Sequence, residues 1–184
     1  MMYYTLMTLL LMLSSDPKEK TIFDFSEPAS TEVWRIVNDG VMGGLSSSQL
    51  KWQEQGTAVF SGDVSLDNNG GFASVRTVPQ QFDLVKKQGI LLRVKGDGKT
   101  YKFRIRTDAY FDGAAYSLSF TTRKDEWATI ELPFHNFLPT FRGRILKNVE
   151  PIESEKIRQL GFLIADKQVG SFSMEIDWIK AYEE

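Results

Sequence analysis

Ile90-Leu91-Leu92-Arg93-Val94-Lys95-Gly96-Asp97-Gly98-Lys99-Thr100-Tyr101-Lys102-Phe103-Arg104-Ile105-Arg106-Thr107 alternates apolar and polar residues on both sides of one Asp-Gly pair. A period of two is the signature of a strand with one buried face. Asp-Gly between two such runs signals a tight two-residue turn. The stretch therefore predicts a β-hairpin. Pairing outward from Asp97-Gly98 sets Val94 opposite Tyr101, Leu92 opposite Phe103 and Ile90 opposite Ile105 on a core face. Lys95 and Thr100, Arg93 and Lys102, and Leu91 and Arg104 fall on the other face. A slip of one residue would put the apolar set in water, so the inward set is strongly specified.

The same period runs through most of the chain. Thr21 to Phe25 reads as a short strand. Ala58, Phe60, Val64 and Leu66 alternate with Val59, Ser61, Asp63 and Ser65, with Gly62 as a candidate bulge. If Ala73, Val75 and Thr77 face the core, then Phe72, Ser74 and Arg76 face outward. Tyr116, Leu118 and Phe120, then Ala128, Ile130 and Leu132, mark two more strands, the second ended by Pro133. Residues 159–165 form a continuous apolar run suited to a strand buried on both faces. Phe172, Met174, Ile176 and Trp178 alternate in a last strand. Helical periodicity is absent, and residues 152–160 hold at most one turn. The pattern predicts an all-β antiparallel sandwich or barrel. Residues 134–149 read as its longest irregular connection. Its Phe134, Phe137, Phe141, Arg142 and Arg144 suit a cover over one open end of the sandwich better than a binding loop.

Composition narrows the function. The 184 residues fit a single domain over 21–184, preceded by an apolar segment over 1–20. That segment is too short to span a bilayer and has the length of a signal-peptide core, although no Lys or Arg precedes it. Cytoplasm and cell envelope are thus equally open, and without a long Arg-rich, acid-poor extension mitochondrial targeting is not supported. A formal charge of −2 gives no electrostatic case for nucleic acid. Zero cysteines exclude disulfides, thiolate metal sites and a Cys nucleophile.

Candidate chemistry is sparse, and no cofactor, metal or catalytic residue is assigned. His135 is the single histidine and lacks an evident partner, and no GxSxG, HExxH or phosphate-loop motif is present. Two acid pairs, Asp108 with Asp112 and Glu175 with Asp177, could in principle serve a glycosidase. The first reads better as a turn, the second as a solvated or hydrogen-bonded strand face. Asp63, Asp67, Asn68 and Asn69 could offer oxygen to calcium, but Asn68 to Gly71 reads as a turn. The arginines Arg76, Arg104 and Arg106 are different. On one sheet face they could grip a carboxylate, a sugar or a partner's acidic side chain, or form an ordinary solvent face with salt bridges.

Asn38-Asp39-Gly40-Val41-Met42-Gly43-Gly44-Leu45-Ser46-Ser47-Ser48 reads as a shaped loop, because three glycines permit positive φ and close approach. Trp34-Arg35-Ile36-Val37 with that loop through Ser46, Asn69-Gly70-Gly71-Phe72-Ala73-Ser74-Val75-Arg76, and Tyr101-Lys102-Phe103-Arg104-Ile105-Arg106-Thr107-Asp108 together carry a resemblance. Residues 127–134, Arg142-Gly143-Arg144, Gly161-Phe162 and Glu175-Ile176-Asp177-Trp178-Ile179 extend it. In this order they resemble the complex I intermediate-associated protein 30 family, over about Thr21 to Tyr182. The resemblance implies a galactose-binding-like jelly roll, in agreement with the strand reading. It implies a non-enzymatic protein binder, as the eukaryotic members hold assembly intermediates of respiratory complex I in mitochondria. Because the fold is similar to carbohydrate-binding modules, a sugar-binding role is the alternative, with Trp52, Tyr110 and Tyr116 as candidate stacking rings. Carried onto this chain, Asn38, Asp39, Arg76, Arg104, Arg106, Asp108 and Arg144 are the expected partner-binding residues, with Gly40, Gly43 and Gly44 shaping the backbone.

Overall fold

Strands with one apolar face must bury it against another layer, and here two antiparallel sheets bury theirs against each other. The computed structural model describes residues 18–110 and 112–183. The expected signal-peptide core therefore lies outside the described residues. The strands in chain order are β1 (Glu19–Phe23), β2 (Trp34–Ile36), β3 (Ser47–Gln53), β4 (Thr57–Val64) and β5 (Ala73–Thr77). Then come β6 (Gly89–Lys95), β7 (Thr100–Arg106), β8 (Ala115–Thr121) and β9 (Trp127–Pro133). The last are β10 (Leu138–Phe141), β11 (Arg144–Ile145), β12 (Gln159–Ile164) and β13 (Gly170–Tyr182). One sheet runs β3-β4-β13-β6-β9, with β1 against the second half of β13. The other runs β11-β10-β8-β7-β12-β5-β2. This is the sandwich that the alternation predicts.

The core is aromatic and aliphatic. Phe60, Leu92, Tyr101, Phe103, Ile105, Phe162 and Ile164 are all completely buried. Tyr101 of one sheet meets Phe172 of the other edge-on, with ring centroids 6.3 Å apart, and Phe103 meets Phe162 at 5.2 Å.

The opening stretch is not a hairpin. Its inward residues are those expected: Ile90, Leu92, Val94, Tyr101, Phe103 and Ile105 are all buried. But β6 pairs with β13 and β9, whereas β7 pairs with β12 and β8 in the opposite sheet. The pairs predicted to sit side by side instead belong to strands in opposite layers. The Asp97 carboxylate explains the crossing. Its Oδ2 accepts from the Ser173 backbone N–H on β13 at 3.0 Å. Its Oδ1 accepts from the Lys99 N–H at 3.0 Å and the Tyr101 hydroxyl at 3.1 Å, on the way into β7. One side chain thus bonds to both layers, and the turn becomes an arch between them.

Other differences have local causes. Gly62 is not a bulge, since its pairing with both neighbours is continuous. A Cβ there would lie 2.0 Å from the Ser47 carbonyl oxygen, so glycine permits the close approach of β3. Residues 134–149 contain β10 and β11, which extend the second sheet at its edge. Phe134 and Phe137 from that segment are buried in the core, as a covering role requires. The short strand β2 and the polar β3 escape detection, because edge strands need only partial burial. The single turn expected within 152–160 is the 3₁₀ turn Ser154–Lys156.

Replacing Asp97 by Ala removes acceptors from three donors, one of them the hydroxyl of completely buried Tyr101. We expect a loss of about 2–4 kcal/mol, given what charged hydrogen bonds contribute. Urea unfolding should show a lower midpoint at unchanged slope.

Candidate functional site

Inward packing of Ala73, Val75 and Thr77 turns Ser74 and Arg76 outward, as predicted. Inward packing of Tyr101, Phe103 and Ile105 does the same for Lys102, Arg104 and Arg106. The antiparallel register then aligns Arg35, Arg76, Gly161, Arg104 and Ser117 in one row across β2, β5, β12, β7 and β8. Strands lie about 4.8 Å apart, so the α-carbons of Arg76 and Arg104 flank Gly161 at about 10 Å. Arg106 stands about 7 Å further along β7 on the same face. A Cβ on Gly161 would lie 2.7 Å from the Val75 carbonyl oxygen and 3.0 Å from the Arg76 Cβ. The bare backbone lets β12 approach β5 and leaves the floor between the two arginines without a side chain.

Like charges in this row raise its potential. Burial first, then the charges of Arg106 and Arg76, pull the Arg104 guanidinium down to about 10. It stays cationic at neutral pH. Among the described residues Arg104 has no hydrogen bond and no ion pair. Burial also lowers Arg76, with Arg106 adding to the effect and Asp112 opposing it. Arg106 is lowered by burial and raised by Asp108 and Asp112. It is 8% exposed and donates from Nη1 to the Gly113 carbonyl at 2.6 Å.

Arg106 and Gln159 fasten the loop after β7 beside this row. Gln159 Nε2 donates to the carbonyls of Asp108 at 3.1 Å and Tyr110 at 3.4 Å. Asp108 Oδ1 accepts from the Tyr110 N–H at 3.0 Å, which makes it the turn residue expected. Asp112 pairs with Arg142 at 2.6 Å. The loop holds Tyr110 with 75% of its surface in solvent.

The glycine-rich loop has an interior role at Asp39. This residue is completely buried and accepts four hydrogen bonds. Oδ1 takes the Ser46 N–H at 3.0 Å; Oδ2 takes the Ser46 hydroxyl and the N–H groups of Gly71 at 2.6 Å and Phe72 at 3.2 Å. A Cβ on Gly44 would lie 2.4 Å from the Asp39 Cγ, and one on Gly70 2.6 Å from its Oδ2. Gly43, at φ 90°, supplies the left-handed turn that brings Gly44 there. Asn38 is also a clip: its Oδ1 accepts from Ser48 Oγ at 2.7 Å and the Ser74 N–H at 3.0 Å. The structure therefore gives Asn38 and Asp39 an internal, loop-shaping place instead of the partner-facing one expected. The loop turns Val41, Met42 and Leu45 outward, each more than 60% exposed.

Of the expected binding residues, the structure brings together Arg76, Arg104 and Arg106, with Asp108 on the adjoining loop. Arg144 lies on the exposed edge strand β11, opposite Phe141, outside the row. Arg35, Arg142, Gln159 and Gly161 belong to the neighbourhood and carry no prior assignment. Gly161 had one visible signal, a glycine inside an otherwise continuous apolar strand.

The remaining candidates resolve as structure. Glu175 pairs with Lys95 at 2.6 Å and accepts from Thr57 at 2.9 Å; Asp177 pairs with Arg93 at 3.3 Å. Asn68 and Asn69 have φ of 55° and 60°, the geometry of a turn. Of the three sugar-stacking candidates, Tyr116 is buried with its hydroxyl bonded to the Glu150 carbonyl at 2.6 Å, and Trp52 sits on the opposite sheet with its indole N–H on the Phe25 carbonyl at 2.9 Å. Only Tyr110 of these offers a ring beside the arginines. His135 lines a shallow cleft of about 490 Å³ with Lys87, Gln88, Pro133, Phe134, Pro151 and Ile152, none of them from the arginine row. Among the described residues no cluster of acids and histidine suits a metal, and no helix is long and apolar enough to cross a membrane.

The family described as complex I intermediate-associated protein 30 matches residues 23–176 of the chain. A relative of that name from Drosophila melanogaster is 27% identical over 86% of this chain and 61% of its own length. One from Mus musculus is 26% identical over 90% of this chain and 56% of its own. The chain thus spans little more than half the length of these curated relatives. Among solved structures, a family 11 carbohydrate-binding module of Clostridium thermocellum, in complex with a β-1,3-1,4-mixed-linked tetrasaccharide, superimposes with a TM-score of 0.66. It covers 90% of this chain and 96% of the module at 22% identity, a likeness of fold. The Drosophila melanogaster, Mus musculus and Neurospora crassa relatives are all named as mitochondrial. They overturn the expectation of a cytoplasmic or exported protein without mitochondrial targeting, which rested on charge pattern in the apolar segment alone.

Burial pushes the Asp39 carboxyl upward, but its donors, Ser46 Oγ and the N–H groups of Gly71, Phe72 and Ser46, outweigh that and hold it below the ordinary value of 3.8. A depressed folded-state value means stability that is present above pH 3.8 and lost as pH falls through the folded-state value. Asp39→Asn turns an NH2 group against N–H donors and should cost about 2–4 kcal/mol at pH 7. Denaturation at a series of pH values should show this gap narrowing below pH 3.8.

Proposed function

The chain belongs to the complex I intermediate-associated protein 30 family, and from that membership and its arginine face we propose that it is a non-catalytic assembly-factor domain that holds a protein partner in mitochondria. The observation that carries the reading is Arg104, a half-buried cation without an anion among the described residues, standing in a row of guanidinium groups on a sheet face. Desolvated arginines that lack an internal counter-ion are suited to intermolecular contacts, where a partner's acceptors complete them. The rim adds Tyr110 and the exposed Leu138 of β10, the aromatic and apolar complement that protein interfaces use. A polysaccharide needs a platform of flat rings, and Tyr110 alone is a weak one.

The relatives' name supports a complex I intermediate as the class of partner. Affinity purification of the tagged protein from its native organism, followed by mass spectrometry, tests it. Complex I subunits should be enriched. Arg104→Gln should cut their recovery at least tenfold while the thermal midpoint stays within about 3 °C of wild type, because the guanidinium gives up no hydrogen bond or ion pair among the described residues. Enrichment of no complex I subunit would overturn the assembly reading.

A further inference from the structure

The row Arg35-Arg76-Gly161-Arg104-Ser117 crosses five neighbouring strands, a span of about 19 Å. An extended peptide covers that length with about six residues. The charge along it is mainly positive, with Asp112 acting on Arg76 and Arg106, and Asp108 on Arg106. Among the described residues Arg35 donates to the carbonyls of Glu32 and Trp34, and Arg106 to those of Gly113 and Ala114, contacts that bring no negative charge. Both acids have other partners as well: Asp112 pairs with Arg142, and Asp108 accepts from the Tyr110 N–H in its own turn. Arg104 has no anion at all among the described residues.

The floor of the row decides which anion fits. Both flanks of β12 are paired, to β5 and to β7, so its amides are committed to the sheet. Phosphate sites characteristically present free backbone N–H groups from a helix start or a nest, and β12, paired on both flanks, has none to give. What the face offers is an arginine on the strand either side of a bare glycine, and planar guanidinium groups take a flat carboxylate through paired N–H···O bonds. Building on the protein-holding function proposed above, we infer that the arginine row is a docking groove for an acidic extended segment of a protein partner, with one Asp or Glu carboxylate seated over Gly161 beside Arg104.

The test uses the full chain and a blocked hexapeptide of glutamate, followed by fluorescence anisotropy at 50 mM and 200 mM salt. The same peptide with glutamine in place of glutamate, and inorganic phosphate as competitor, complete the set. The glutamate peptide should bind, weaken several-fold at the higher salt through screening, and lose at least tenfold in affinity with Arg104→Gln. Lys147→Gln, which removes an exposed positive charge elsewhere, should leave it within twofold. Binding of the glutamine peptide with equal affinity, equal loss with Lys147→Gln, or no binding of the glutamate peptide would each overturn the groove. So would displacement by phosphate at a lower concentration than free glutamate needs. If wild-type protein still recovers complex I subunits while the peptide fails, the carboxylate site falls and the assembly function stands. The reverse result removes the assembly function and keeps the site.

Discussion

A single carboxylate inside the protein organises the glycine-rich loop between β2 and β3. Asp39 is charged and wholly desolvated, a combination that is costly unless every lone pair is used. It is satisfied by Ser46, which leads into β3 of one sheet, and by Gly71 and Phe72, which lead into β5 of the other. The glycines at 44 and 70 are pressed against it and leave no room for a side chain. Asp97 repeats the device, reaching Ser173 in one layer and Lys99 and Tyr101 in the other. The two layers are therefore joined by electrostatic staples as well as by their shared apolar core.

That internal use of negative charge has an external counterpart. Acids near the arginine face also hold loops, whereas burial lowers Arg76, Arg104 and Arg106, and the charge of Arg106 lowers Arg76 and Arg104 further. The sandwich is rigid beneath them, because β12 and β7 are interior strands of a seven-stranded sheet. Cations fixed on a stiff support lose little freedom when an acceptor arrives, which favours recognition. The carbohydrate-binding modules that share this fold show that the scaffold is general; the residues on its face set what it holds.

The reach of the sequence depended on how local each feature was. Alternation at 90–95 and 100–106 correctly marked the buried residues, since a face is fixed by period alone. It could not say whether two inward faces lie side by side or across a core. The Asp97 bond to Ser173, 76 residues away, decided that, and no local pattern carries it. Arg76, Arg104 and Arg106 were legible as outward for the same reason that Val75, Phe103 and Ile105 were inward. Their alignment into one row was not, because register across β12 is a tertiary fact. Asp39 looked like a surface residue since a charged side chain among glycines ordinarily is one; its burial follows from donors 7 to 33 residues distant.

The thirteen-residue strand β13 touches β4 along its first half, β1 along its second, and β6 on the opposite flank. Without it, that sheet is three separate pieces: the β3–β4 pair, the β6–β9 pair and a lone β1. Residues 170–182 follow β1, β3, β4, β6 and β9 in the chain, so this layer closes only after all of those strands have been made. The earlier strands must wait with open edges, a condition that slows maturation and invites mispairing. The topology thus leaves this sandwich in need of protection until β13 is in place.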